Sequence, residues 1–219
     1  MKIFLYPLPF LLIILIFLIR AEILKIKKQI YFLKPVCTSL VIATVLLTFK
    51  GSNDHFYSAG ILIGLIFSLC GDVSLMFMDR KKPFLIGLIL FILAHIVYII
   101  VFSALSSVSY LDIISTAVLL LIGFLIFKIF SPNLGKMKIP VIFYILIISV
   151  MVNRAFSVLI SSKVEHIKGI MIFIGAILFY ISDVMLASAR FWRTWKYHRI
   201  SLAFYYSGQF LIAASAGLF

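Results

Sequence analysis

The chain has 219 residues, 64% of them hydrophobic and 12% charged, and a mean hydropathy of +1.24. No water-soluble domain of this length covers so much apolar surface, so soluble enzymes and soluble binding modules are excluded. The formal net charge of +13 invites a nucleic-acid reading, but the positions of the bases answer to membrane topology and anionic lipid headgroups instead.

Apolar runs bounded by charges, Pro and Gly predict eight membrane-spanning helices, over residues 3–19, 35–49, 59–78, 84–102, 113–130, 140–160, 169–189 and 200–219. The runs approach the roughly 17–25 residues of a helical crossing and far exceed a barrel strand. The expected fold class is therefore all-α, a polytopic membrane helix bundle, with residues 1–219 as a single domain. The first run follows Lys2 like a signal peptide, but it is long for one, and Arg20-Ala21-Glu22 offers no small-residue cleavage site. It is expected as a retained span. Pro35, Pro83 and Pro140 are expected to open the second, fourth and sixth spans, where a missing N–H costs nothing. Cys37 and Cys70 lie in apolar runs. They fit neither a disulfide framework nor a zinc site, and read as small hydrophobes.

Charge tests the count. The segments joining spans one to two, three to four, five to six and seven to eight hold 15 bases: Arg20, Lys25, Lys27, Lys28, Lys34, Arg80, Lys81, Lys82, Lys128, Lys136, Lys138, Arg190, Arg193, Lys196 and Arg199. The opposite side holds 4: Lys2, Lys50, Lys163 and Lys168. This asymmetry predicts both termini outside and the odd-numbered loops in the cytoplasm, as in a bacterial inner membrane.

Two aspartates interrupt the apolar runs. Asp72 lies in Gly64 to Met76, and Asp183 in Gly175 to Leu186. A charge at such depth costs about 2.5–3.5 kcal/mol on insertion scales, which marks both as functional candidates. Each is six residues from its expected cytoplasmic span end, about 9 Å at helical rise, so the pair is expected at one depth. Ser68 and Tyr180 share helix faces with Asp72 and Asp183. Tyr144, Tyr205 and Tyr206 fall near the same layer, with His95, Tyr98 and Gln209 deeper. These polar groups either hydrogen-bond between helices, at about 0.6 kcal/mol each, or serve the aspartates. Asn153-Arg154 belongs to the outer part of span six. Arg154 is expected to snorkel outward; otherwise it closes a cavity or pairs with an acid. The loop 190–199 mixes bases with aromatics, as an interfacial belt does, and one of its bases is a candidate for holding a lipid phosphate. Gly60, Gly64 and Ser68 form a small-residue stripe suited to close packing.

A weak internal repeat accompanies the aspartates. Gly64, Gly71, Asp72, Val73 and Leu75 match Gly175, Ser182, Asp183, Val184 and Leu186 at an offset of 111, which also carries His95 onto Tyr206 and Tyr98 onto Gln209. The pattern suggests a parallel 4+4 duplication with one aspartate in each half.

Four segments together resemble the YhhN family of lysoplasmalogenase-like membrane proteins. They are Phe67 to Met76, His95 with Tyr98, Tyr180 to Ala187, and Tyr205 to Ala213. The likeness runs through nearly the whole chain in order. Asn153-Arg154 departs from it, where a less charged pair is expected. The resemblance implies hydrolysis of the vinyl ether of lysoplasmalogen, a lysophospholipid held within the bilayer, to a fatty aldehyde and a glycerophospho-ethanolamine or -choline. Asp72 and Asp183 would be catalytic, and Ser68, His95, Tyr98, Tyr144, Asn153, Tyr180, Tyr206 and Gln209 would line the substrate.

The chemistry suits these residues. A vinyl ether is not electrophilic, so a nucleophilic Ser or Cys gains nothing. It is cleaved by protonation at its β-carbon, which needs one carboxylic acid still protonated and one carboxylate ionised to stabilise the cation and accept a proton from water. Burial and mutual repulsion divide two neighbouring carboxyl groups in that way. Neither metal nor cofactor is called for, and no protein partner is evident. Asp72, beside Gly71 and Cys70, is expected as the acid, and Asp183, near Ser182 and Tyr180, as the base. The rival reading is a proton- or cation-coupled transporter using the same pair.

Overall fold

The structure is a computed structural model, and it describes residues 5–49, 54–194 and 198–218. Lys2, Lys50 and Lys196 of the charge pattern lie outside the described residues. The described residues form α1 (Pro7–Ile23), α2 (Lys27–Thr48), α3 (His55–Leu75), α4 (Lys81–Leu105), α5 (Tyr110–Leu134), α6 (Lys138–Leu159), α7 (His166–Phe191) and α8 (Ser201–Ser215). Only a 3-10 turn at Gly135–Met137 separates α5 from α6, so helical backbone continues from Tyr110 to Leu159 and the continuous helical stretches number 7. No strand occurs among the described residues.

Five of these stretches are long and apolar enough to cross a membrane: Lys27–Thr48, His55–Leu75, Lys81–Leu105, Tyr110–Leu159 and His166–Phe191. α1 and α8, at 17 and 15 residues, are short for it. At helical rise they reach about 25 and 22 Å against a hydrocarbon core of about 30 Å. The expected apolar runs therefore all carry helix, but helices and crossings are different counts.

The helices pair as antiparallel hairpins. Facing residues show the register: Gly71 lies against Phe91 and Gly87 against Leu75, Gly123 against Ile145, and Gly175 against Ile212. Gly135, with φ 52, turns the chain between α5 and α6 in a conformation that L side chains rarely adopt. α2 packs on α3 and α8, and α6 packs on α7 and α4. Short segments at residues 24–26, 76–80, 135–137, 192–194 and 198–200 thus share one end of the bundle. Local chemistry starts the helices at the other end. The Asp54 carboxylate accepts from the Tyr57 N–H at 2.9 Å, and Ser109 with Asp112 forms a reciprocal capping box.

The start of α2 corrects the sequence reading. It begins at Lys27, so Pro35 lies inside the helix rather than opening it. Beside the proline, the Lys34 carbonyl accepts from Thr38 Oγ1 at 3.3 Å and from the Tyr206 hydroxyl at 3.1 Å. Lys34 is consequently a buried residue of the helix wall and not a connecting-segment charge.

Candidate active site

Asp72 sits in the last turn of α3 and is 2% exposed. Its Oδ2 accepts from Thr38 Oγ1 of α2 at 2.7 Å and from the Tyr205 hydroxyl of α8 at 2.9 Å. Lys34 Nζ lies 3.4 Å from Oδ1. A cation and two hydroxyl donors thus converge on one carboxylate. The setting is neither bare nor apolar, which removes the reason for expecting Asp72 as the acid. Sequence reasoning missed Lys34 and Thr38 because both were placed near a helix start. Their spacing of four residues puts them on one face once the helix begins at Lys27.

Asp183 sits on α7, its side chain 17% exposed. The Tyr144 hydroxyl of α6 donates to its Oδ2 in a short hydrogen bond. His95 Nε2 of α4 lies 3.2 Å from that hydroxyl and 3.8 Å from Oδ2. The Tyr144 proton points to Asp183, so His95 can bond Tyr144 only as a donor through Nε2. Its buried Nδ1 has no hydrogen-bond partner among the described residues. A neutral imidazole protonated at Nε2 meets both conditions. The Asp183 set is therefore built of neutral donors, whereas the Asp72 set carries a lysine.

Both aspartates line one cavity of about 800 Å³, within the roughly 300–1,000 Å³ usual for a small-molecule site. Aromatic rings stand between the two sets. Phe179 lies 4.8 Å from the His95 ring and 5.2 Å from the Tyr205 ring, with Phe91 packed on both Phe179 and Tyr205. One wall is apolar, from Ile126, Phe130, Val141, Ile145 and Ile148 of α5 and α6. The rim, at the end of the bundle that holds segments 24–26, 192–194 and 198–200, carries Glu22, Lys25, Lys27, Asp79, Arg190, His198 and Arg199. Arg199 Nε pairs with Glu22 at 3.3 Å and ties the segment before α8 to α1. Of the belt at 190–199, residues 195–197 lie outside the described residues.

The other expected site residues divide three ways. Tyr144 and Tyr180 line the cavity with the aspartates. His95, Tyr98, Tyr206 and Gln209 are buried behind it and hold its walls. Tyr206 stands 3.3 Å from Thr38 Oγ1, Tyr98 donates to Gln209 Oε1 at 3.2 Å, and Gln209 Nε2 donates to the Tyr205 hydroxyl at 3.2 Å. That last bond takes a lone pair of Tyr205 and leaves its proton for Asp72. Ser68 is buried and not on the cavity wall. Asn153 is at the far end of the bundle, donating to the Asp112 carbonyl at 3.0 Å and to Thr116 Oγ1 at 3.1 Å. Arg154 does not snorkel. Its guanidinium pairs with Asp112 at 3.1 Å and donates to Ser157, because Asp112 at the start of α5 faces the end of α6. This cluster staples α5 to α6 and has no part in the cavity.

The depth expectation also changes. Asp72 is three residues from the end of α3 and Asp183 eight from the end of α7, about 4.5 and 12 Å of helix. The two meet in one cavity through the packing of six helices rather than through equal depth. Both helices run unbroken past their aspartate, without the discontinuous geometry of many ion-coupled transporters. No cluster of three or more His, Cys, Asp or Glu side chains suited to a metal occurs among the described residues.

Comparison with known proteins adds to this geometry. The model of the YhhN family matches residues 29–216. The chain is 29% identical over 165 residues to a protein named lysoplasmalogenase TMEM86A from Bos taurus, a match that covers 74% of this chain and 67% of that one. No solved structure matches.

Proposed function

The chain belongs to the YhhN family, and from that premise we propose that it is a membrane-embedded hydrolase that cleaves the vinyl ether of lysoplasmalogens. The products are a fatty aldehyde and a glycerophospho-ethanolamine or -choline. One observation carries the reading: two carboxylates with opposite electrostatic settings open into one cavity that also offers an apolar wall.

In this reading the roles are the reverse of the sequence expectation. Asp183 is the acid. Tyr144 occupies its Oδ2, so Oδ1 is the oxygen left to deliver a proton to the β-carbon of the vinyl ether. Asp72 is the anion. Lys34, Thr38 and Tyr205 supply it with a counter-ion and two hydroxyl donors, and it stabilises the oxocarbenium ion that forms. Water adds to that ion and gives up a proton to Asp72. The resulting hemiacetal collapses to aldehyde and alcohol, and the proton on Asp72 returns through water to Asp183, so that one water is consumed and no net proton.

The membrane arrangement belongs to the same proposal. All eight helices lie in the membrane, with both termini outside and the cavity rim on the cytoplasmic side. The two halves are a duplicated unit. Its support is that each aspartate draws partners from corresponding helices, α2 and α8 for Asp72 and α6 and α4 for Asp183.

Aldehyde release from lysoplasmalogen by purified protein in detergent tests the function. Asp72→Asn and Asp183→Asn should each lower turnover by at least about a hundredfold, the lower range for loss of acid–base catalysis. Turnover untouched by both would remove the two-carboxylate mechanism. The roles separate by rescue of Asp72→Ala and Asp183→Ala with small carboxylic acids. Rescue of Asp183→Ala should follow the protonated acid and weaken as pH rises, and rescue of Asp72→Ala should follow the anion. Absence of aldehyde with proton-linked uptake in liposomes would support the transporter instead.

A further inference from the structure

The cavity rim holds more positive charge than its own acids neutralise. Two of its ion pairs are closed internally, Lys34 with Asp72 and Arg199 with Glu22. Lys25, Lys27 and Arg190 line the same cavity and form no ion pair among the described residues, against Asp79 on the same rim. Lys25 and Lys27 are exposed at the turn into α2, but Arg190 is built in. Its guanidinium carbon lies 4.0 Å from the centre of the Phe84 ring and 5.8 Å from that of Phe191. Those two buried rings pack edge to face at 5.9 Å. The arginine is thereby oriented before any ligand arrives, and its ordering entropy is already spent. Its Nε is buried and has no hydrogen-bond partner among the described residues. A buried donor without an acceptor is uncommon and costly, so the site is short of an oxygen-rich anion.

We infer that Arg190, with Lys25 and Lys27, is a binding subsite for the phosphate group of a single-chain lipid. A guanidinium fork stacked on an aromatic ring suits a tetrahedral oxyanion, and two flexible lysines add charge without demanding one geometry. The class of ligand follows from continuity. One cavity joins this rim, the two aspartates and the apolar wall of α5 and α6. A molecule that fills it carries an anion at one end, a reactive bond next to it and an apolar chain beyond. The subsite reads the phosphate and not the alcohol attached to it, so choline and ethanolamine esters are bound alike. The inference rests on the hydrolase reading only for the identity of the bond that lies between rim and wall.

The test uses the full chain in detergent and two saturated ethers that vinyl-ether chemistry cannot cleave: 1-alkyl-glycerophosphocholine and 1-alkylglycerol of the same chain length. The wild type should bind the phosphate-bearing ether about tenfold or more tightly than the neutral one, as expected for a charge-assisted fork. Arg190→Gln should erase most of that margin and leave 1-alkylglycerol binding unchanged. Arg190→Lys should restore part of it, and Lys128→Gln, an exposed base off the cavity, should change nothing. Inorganic phosphate should displace the phosphocholine ether and not the alkylglycerol, whereas a site for free phosphate alone would bind phosphate equally well with or without the lipid chain. A wild type that binds both ethers alike, or an Arg190→Gln protein weakened equally for both, overturns the inference. Failure of the hydrolase reading looks different: no aldehyde is released, yet the phosphate margin persists. Failure of the subsite alone appears as aldehyde release from 1-alkenylglycerol as efficient as from lysoplasmalogen.

Discussion

Lys34 decides the character of Asp72. A carboxylate at 2% exposure is tolerable because a lysine and two hydroxyls meet it. Lys34→Met leaves that charge buried without its counter-ion and should cost about 3–5 kcal/mol, the usual penalty for breaking a buried pair. Thermal unfolding in detergent would show it as a lowered midpoint, and adding Asp72→Asn to the same chain should return most of the loss. A midpoint unmoved by Lys34→Met would mean that the pair carries no weight. Asp72 and Asp183 were legible as candidates from sequence, because an acid in an apolar helix has a known cost. Their partners were not. Nothing in the order of residues shows that Asp72 meets Lys34 from α2 and Tyr205 from α8, or that Asp183 meets Tyr144 and His95. Those contacts join residues on different helices, which no local pattern of residues reports.

Helix limits and helix contacts shaped the site at the next scale. A proline read as a helix start hid eight residues of α2, and with them the buried face that carries Lys34 and Thr38. The helix starts eight residues before Pro35, so a proline marks a helix start only as a tendency. Asn153-Arg154 misled as well. Asp112 caps α5 locally, and only the α5–α6 hairpin brings Arg154 to it. Backbone meets backbone where α8 crosses α7. A Cβ on Gly208 would stand 2.6 Å from the Gly175 carbonyl oxygen and 3.0 Å from the Phe179 nitrogen, both backbone atoms. Gly208→Ala should therefore part the two helices, destabilise by about 1–3 kcal/mol as overpacking does, and lower turnover by shifting Phe179 against Tyr205. Gly123→Ala meets side chains and no backbone, Ile145 Cγ2 at 2.8 Å and Ser149 Oγ at 3.9 Å, and should cost less than about 1 kcal/mol. Equal midpoints for the two variants in the same detergent would refute this ranking.

For the whole molecule, orientation is the open quantity that charge addresses. Single cysteines placed at Lys136 and Lys163, with Cys37 and Cys70 replaced by Ala or Ser, should react with an impermeant maleimide from opposite sides of sealed membranes. Lys163 should label in intact cells, and Lys136 only after permeabilisation. Labelling of both from one side would overturn the proposed topology. Composition by itself determined that this chain is helical and made for a membrane, because backbone groups in lipid must bond within their own segment and apolar surface of that extent has no soluble solution. It also singled out the two aspartates, since burial of charge is costly enough to stand out in any apolar run. Only the tertiary structure decided which helices close around them, which acid holds a lysine and which a tyrosine, and that one cavity joins a basic rim to an apolar wall. Hydropathy and charge are summed along the chain, whereas a site is made where distant segments meet, and that meeting is settled by packing.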